Sequence, residues 1–499
     1  MSEIVSSLGL GLSVAITPMN LWYCFIGALV GTLIGVLPGL GPIATMAMLL
    51  PLTYYLEPTG ALIMLAGIYY GAQYGGSTTA ILMRLPGESS SVVTCLDGYE
   101  MARQGRAGAA LAVAALSSFV AGTITTLLIA FFSPALTAVA QRFGPAEYFC
   151  LMALGLIAAI VFAQGSLLKS FGMILAGLLF GLVGADVNTG LDRFTFGVAE
   201  LRDGIGIAAL SMGMFGIAEI VLNLARPEQD GRPVLAVSRL KLTRSDIRAA
   251  WPAALRGTGI GALLGILPGG SAMMASFASY STEKKLSSLP ERFGHGAIEG
   301  VAGPEAANNA GAQASFIPML ALGIPSNSVM AMMAGAMLIH GIAPSPNLAI
   351  VQPGLFWGLI ASMWLGNLML LVINLPLIGL WVRLLQVPYR LMFPAILLFC
   401  CIGIYTVNNS VFEVALLALF GVAGIVFSLL NCPLAPLILA FILGPAMEEN
   451  LRRAMLISNG NLDVFSSPIC IAILAMALLM LSMIVFPSFR SARAVATEG

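Results

Sequence analysis

The chain has 499 residues, with 23 basic and 23 acidic side chains that cancel, so only 9% are charged against roughly 25% in a soluble domain. Hydrophobic residues make up 59%. This excludes a soluble enzyme, a disordered chain and a secreted disulfide scaffold. It leaves an all-α polytopic membrane protein in the lipid bilayer, with no basic face for nucleic acid.

At roughly 20 residues per crossing, the length predicts about 11–12 transmembrane helices plus two broken, re-entrant hairpins. Apolar segments run at 21–37, 60–82, 108–132, 147–163, 168–185 and 205–224, then at 252–267, 312–342, 354–382, 392–407, 411–430, 433–447 and 468–486. No Lys or Arg precedes Arg84 and no small-residue cleavage site follows a short apolar core, so the first helix is expected to stay as a span. The seven cysteines form no CxxC or Cys/His set and read as small core residues.

The first apolar segment ends in GTLIGVLPG (31–39) and runs into Gly39-Leu40-Gly41-Pro42. Next come a small polar run, Gly75-Gly76-Ser77-Thr78-Thr79, and a proline turn, Leu85-Pro86-Gly87-Glu88-Ser89, within a hairpin expected at about 60–91. The hydrophilic stretch 226–256 carries seven basic residues and is therefore expected in the cytoplasm. Beyond it, GALLGILPG (261–269) matches 31–39 at six of nine positions, followed by Gly270-Ser271. A second polar run, Asn308-Asn309, and a second proline turn, Ile324-Pro325-Ser326-Asn327, fall within a hairpin expected at about 308–342.

Matched features in one order predict an internal duplication. The first repeat is 1–225, the connector 226–250, the second repeat 251–447, and a loop, last helix and tail occupy 448–499. The helix before Pro268 starts from the basic connector, and the helix before Pro38 from a segment without Lys or Arg. The repeat is therefore read as inverted. This places Arg84, Arg103, Arg106, Lys169, Arg490 and Arg493 inside. It places Lys284, Lys285, Arg292, Arg452 and Arg453 outside, against the charge rule.

Inverted repeats with paired helix breaks are the pattern of secondary transporters. Broken ends expose N–H groups that favour an anion, and carbonyls that coordinate a cation. Ser77, Thr78, Thr79, Ser89, Asn309, Ser326 and Asn327 are the substrate-binding candidates, since they hydrogen-bond without adding charge. Gly39, Gly41, Gly269, Gly270, Glu305 and Asn308 are the cation candidates, for Na⁺ or H⁺. Each has a bland reading as well. Hydroxyls in membrane helices commonly bond back one turn, and the Gly-Pro runs could be plain turns. Glu57 reads as a loop residue, Glu88 as interfacial and His340 as packed or interfacial. Glu305, three residues before Asn308, is the best proton- or sodium-linked candidate. No catalytic residue, cofactor or metal other than Na⁺ is expected, because HExxH and GxxxxGK[ST] are absent.

The runs GVLPGLGPIATMAMLL (35–50), YYGAQYGGSTTAILMRLPGESSS (69–91) and GHGAIEGVAGPEAANNAGAQASFIPMLALGIPSNS (294–328) resemble the large membrane subunit of tripartite tricarboxylate transporters. The resemblance spans about 18–440. It implies a multi-pass permease of the bacterial inner membrane that works with a small four-helix-type membrane subunit and a periplasmic solute-binding protein. It also implies an elevator-type architecture and ion-driven symport of a tricarboxylate or related carboxylate. A stand-alone ion-coupled permease or a channel for another small solute is the alternative reading.

Overall fold

The computed structural model describes residues 2–37, 41–163, 166–186, 188–225, 234–237, 239–267, 269, 271–385 and 389–485. The expected cation positions Gly39 and Gly270, the prolines Pro38 and Pro268, part of the connector, and Arg490 and Arg493 lie outside these residues.

The chain before the connector forms α1 (Ser2–Ala15), α2 (Pro18–Val36), α3 (Pro42–Thr53), α4 (Pro58–Met83), α5 (Thr94–Met101), α6 (Ala107–Ala140), α7 (Pro145–Phe162), α8 (Leu167–Gly181), α9 (Ile207–Ser211) and α10 (Ala218–Ala225). After it come α11 (Arg244–Ile266), α12 (Ala272–Leu286), α13 (Glu299–Ala314), α14 (Phe316–Leu322), α15 (Ser328–Ile339), α16 (Leu348–Val351), α17 (Pro353–Asn374), α18 (Ile378–Leu384), α19 (Tyr389–Asn408), α20 (Val411–Leu429), α21 (Leu434–Ile457) and α22 (Pro468–Val485). The strand content among the described residues is one two-residue antiparallel ladder, Gly184–Ala185 with Asp192–Arg193.

Seven described helical stretches are long and apolar enough to cross a membrane, and five more apolar helices are shorter. Proline and glycine set many of the helix ends. Pro42, Pro58, Pro145 and Pro353 each sit in the first turn of a helix, where a missing N–H costs nothing. Gly105, at φ 78°, separates α5 from α6. Large apolar side chains such as Trp22, Phe132, Leu263, Leu419 and Leu478 are exposed, as a lipid-facing surface requires.

Two glycine ridges draw the central helices together. A Cβ on Gly27, Gly31 or Gly35 of α2 would overlap the carbonyl oxygen of Met64, Ile68 or Ala72 on α4. On α11, Gly257, Gly261 and Gly265 meet the carbonyls of Gly303, Ala307 and Gly311 on α13 in the same way. A four-residue spacing places small residues on one helix face, and only glycine permits this backbone approach.

The expected 60–91 hairpin takes the form of one unbroken 26-residue helix, α4, followed by a returning segment. Arg84 caps α4 in the left-handed region (φ 58°), and the chain folds back until Gly87 packs on Gly35 and Gly76. In the second half Gly323 (φ 75°) ends α14, and Ser326 returns to accept a 2.7 Å bond from the Gly269 N–H.

The returning segments enter from opposite ends of the molecule. The end of α4 meets the connector, where the Leu235 N–H donates to Leu82 O (3.2 Å). Gly323 instead packs on Pro344, and nearby His340 lies against Thr53 and Glu57 at the start of α4.

The expectation that Lys284, Lys285 and Arg292 lie across the membrane from the connector is corrected. Arg256 near the connector pairs with Glu283 (2.5 Å), Arg106 with Asp246 (2.5 Å), and Gln104 Nε2 donates to His295 O (2.9 Å). α12 therefore returns to the side from which α11 starts, and the charge-rule conflict there disappears. Cysteines at Lys241 and Lys284 are expected to react with an impermeant thiol reagent from one side, and a cysteine at Glu449 from the other. Labelling of 241 and 284 from opposite sides would refute this arrangement.

Candidate functional site

At the centre, α4, α5, α6, α13 and the segment 86–93 enclose a polar layer. Glu305 is wholly buried on α13. Its Oε2 accepts from Ser77 Oγ (2.6 Å) and Asn308 Nδ2 (3.4 Å), and its Oε1 from Thr94 Oγ1. Asn309 Nδ2 donates to Ser118 Oγ (2.7 Å), to Asn308 Oδ1 (2.6 Å) and to the Glu305 carbonyl (3.0 Å). Among the described residues no Lys or Arg pairs with Glu305.

A second buried carboxylate stands beside it. Glu88 accepts from Ser90 Oγ, which also lies 2.5 Å from Gln73 Oε1. A Cβ on Gly76 would collide with the Glu88 side chain, so the Gly75-Gly76 step is what admits this carboxylate against α4. Glu88 is thus corrected from interfacial to buried. The returning segment carries it inward, a move local sequence does not show.

The helices α6 and α17 hold the layer from outside it. Tyr74 OH donates to Asn367 Oδ1 (2.7 Å), and Asn367 Nδ2 donates to Phe119 O (2.8 Å). Thr126 Oγ1 donates to Gln313 Oε1 (3.0 Å). A cavity of about 10 Å³ remains, lined in part by Tyr74, Ser77, Thr78, Ser118 and Asn374. That is room for about one water.

The sequence candidates divide. Ser77, Asn308, Asn309 and Glu305 come together in one hydrogen-bonded cluster, and Thr78 lines the adjoining cavity. Thr79 turns away and donates to Val36 O (2.6 Å), closing a free carbonyl at the end of α2. Ser89 is exposed, while its neighbours Ser90 and Ser91 are buried. Ser326 is buried and donates to Ser315 O (3.4 Å), and Asn327 caps α15 by accepting from Met330 N (3.0 Å). Gly41 caps α3 and accepts from Thr45, and Gly269 holds a left-handed φ of 74° against Ala158 and Phe162. Glu57 caps α4, as a loop residue should. Gln73, Thr94 and Ser118 were not singled out. Gln73 had a signal, an amide inside an apolar run. Lone Thr94 and Ser118 had none, because such hydroxyls usually bond back to their own helix.

The model of the tripartite tricarboxylate transporter TctA family matches residues 21–439. The chain belongs to that family. It is 55% identical over 494 residues, covering 99% of this chain and 98% of the relative, to an Agrobacterium vitis protein described as an uncharacterized 52.8 kDa protein in the TAR-I ttuC' 3' region. A second A. vitis protein, described as an uncharacterized protein in the TAR-II ttuC' 3' region, is 56% identical over 234 residues. That match spans 47% of this chain and 97% of the relative. No solved structure matches. Family and helices together make the chain a multi-pass membrane transporter subunit.

Proposed function

We propose that this chain is the large permease subunit of a solute-binding-protein-dependent secondary active transporter in the bacterial inner membrane. It imports a tricarboxylate or related carboxylate with Na⁺ or H⁺. One observation carries the reading: a buried carboxylate, Glu305, without a basic partner among the described residues, held by Ser77, Thr94 and Asn308 beside the segment that folds back after α4. Burying a bare charge is costly, so this oxygen set calls for a small cation or a proton. The surrounding amides and hydroxyls offer an anion donors without fixed charge.

The inverted repeat is supported by the glycine ridges. Each recurs 230 positions on (27 to 257, 31 to 261, 35 to 265), and its contacts recur 239 positions on (64 to 303, 68 to 307, 72 to 311). A cavity of about 10 Å³ admits no carboxylate. A closed central site in a fold whose two halves each send a loop inward, from opposite ends, fits rigid-body, elevator-like exposure to each side in turn. In this scheme the periplasmic binding protein delivers the acid, the small membrane subunit completes the complex, and the connector end faces the cytoplasm.

The test is uptake of radiolabelled citrate, succinate and benzoate by proteoliposomes holding both membrane subunits, with binding protein added outside. Uphill uptake that collapses when the Na⁺ and pH gradients are removed is expected. Flux indifferent to the gradients and to the binding protein would establish a channel instead.

A further inference from the structure

A larger cavity stands apart from the polar centre. It encloses about 630 Å³ between the 182–206 loop, α15 and α21, on the side opposite the connector. Its floor includes Gly323 and Pro325, the returning segment of the second half, and its walls include Met152, Phe180, Leu338 and Phe441. The size suits a small organic ligand.

At its polar end Asp186, Arg193 and Glu448 line the cavity, and Arg452, paired with both carboxylates, completes a ring of four charges. Arg193 Nη1 lies 2.8 Å from Glu448 Oε1 and 3.3 Å from Asp186 Oδ2. Arg452 Nη2 lies 2.6 Å from both Glu448 Oε1 and Asp186 Oδ2. Backbone N–H groups of Thr189 and Asn188, together with Arg452, hold the Asp186 carboxyl well below the usual carboxylate range. Asp186 is thereby fixed to its own loop. Glu448 accepts side-chain bonds alone and is the more easily exchanged partner. The buried Arg193 Nε–H has no acceptor among the described residues. A guanidinium with a spare donor can take a carboxylate through two parallel bonds. Asp203 and Glu449 also line the cavity, so an anion is not drawn in by net charge and binds only by replacing an internal partner.

We propose that this cavity is an outer binding station for the carboxylate substrate, where a substrate carboxylate displaces Glu448 from Arg193 and Arg452. The assignment rests on the carboxylate-transport reading above. It places the fixed cations that meet the anion at the access cavity, while the central site holds none.

The test uses the complete transporter in proteoliposomes and whichever of citrate, succinate or benzoate the wild type takes up fastest. Arg193→Gln is expected to raise KM about tenfold with kcat within about twofold, the scale of one lost charge-assisted contact. Glu448→Gln is expected to lower KM about threefold, because it removes the internal competitor. A ring that only braces the loop gives the opposite sign for Glu448→Gln, a raised KM or less folded protein, and overturns the proposal. If Arg193→Gln does not fold, a cysteine at Leu338 on the cavity wall decides. The acid should protect it from an anionic thiol reagent relative to the parent protein, and absence of protection refutes the station. A wild type that transports none of the acids refutes the carboxylate reading itself, a different result from normal uptake with unchanged KM in both variants.

Discussion

Glu305→Gln is expected to abolish uphill uptake, by roughly 100-fold or more, equivalent to about 2.7 kcal/mol of barrier, while leaving folded protein in the membrane. Glutamine keeps the shape, accepting through its one carbonyl oxygen from one of the two hydroxyls that hold the native carboxylate, Ser77 and Thr94, and donating through its amide nitrogen to the other. It cannot ionise, release a proton or balance a cation. The informative comparison is between uptake against a gradient and exchange of labelled for unlabelled substrate. Loss of the first with survival of the second assigns Glu305 to coupling. Ser77→Ala and Asn309→Ala are expected to reduce both, because each removes a donor next to the site. Uphill uptake at the wild-type level in Glu305→Gln would remove this residue from the coupling path.

Gly261→Val is expected to prevent assembly of the fold, whereas Gly259→Val on the same helix is expected to be tolerated. A Cβ at 261 overlaps the Ala307 carbonyl oxygen and comes within 2.8 Å of the Ala310 Cβ. At 259 nothing lies within 4 Å. Overpacking costs about 1–3 kcal/mol when side chains can move aside, and here the obstacle is backbone. Purified yield and thermal melting in detergent measure the contrast. Equal yields and melting temperatures for the two variants would show that α11 and α13 are not in glycine-mediated contact.

Much of the fold was legible in residue patterns. The GxxxGxxPG recurrence pointed to equivalent helices, and both copies end helices whose glycines pack on a neighbour's backbone. Ser77, Asn308, Asn309 and Glu305 were chosen as polar residues inside apolar surroundings, and they meet. Thr79 and Ser89 looked equivalent to them in composition. Helix phase separates Thr79, which faces α2, and the returning turn leaves Ser89 exposed. Glu88 was misplaced because a proline turn beside an arginine reads as a membrane edge. Only the fold-back of 84–93 against α4 buries it.

The sequence by itself determined the solvent and the class. With 9% charge and 59% hydrophobic residues, this chain must put its apolar surface in lipid and satisfy its backbone within helices. It also determined where those helices break, since proline lacks an N–H and glycine tolerates positive φ. The tertiary structure decided which broken ends meet. Thr94 and Ser118 reach Glu305 and its carbonyl across more than 180 residues of chain, and Arg193 and Arg452 share two carboxylates from distant segments. Such pairings depend on helix rotation and on the direction in which a segment returns. Both are set by packing against distant parts of the chain, and no local window of sequence contains them.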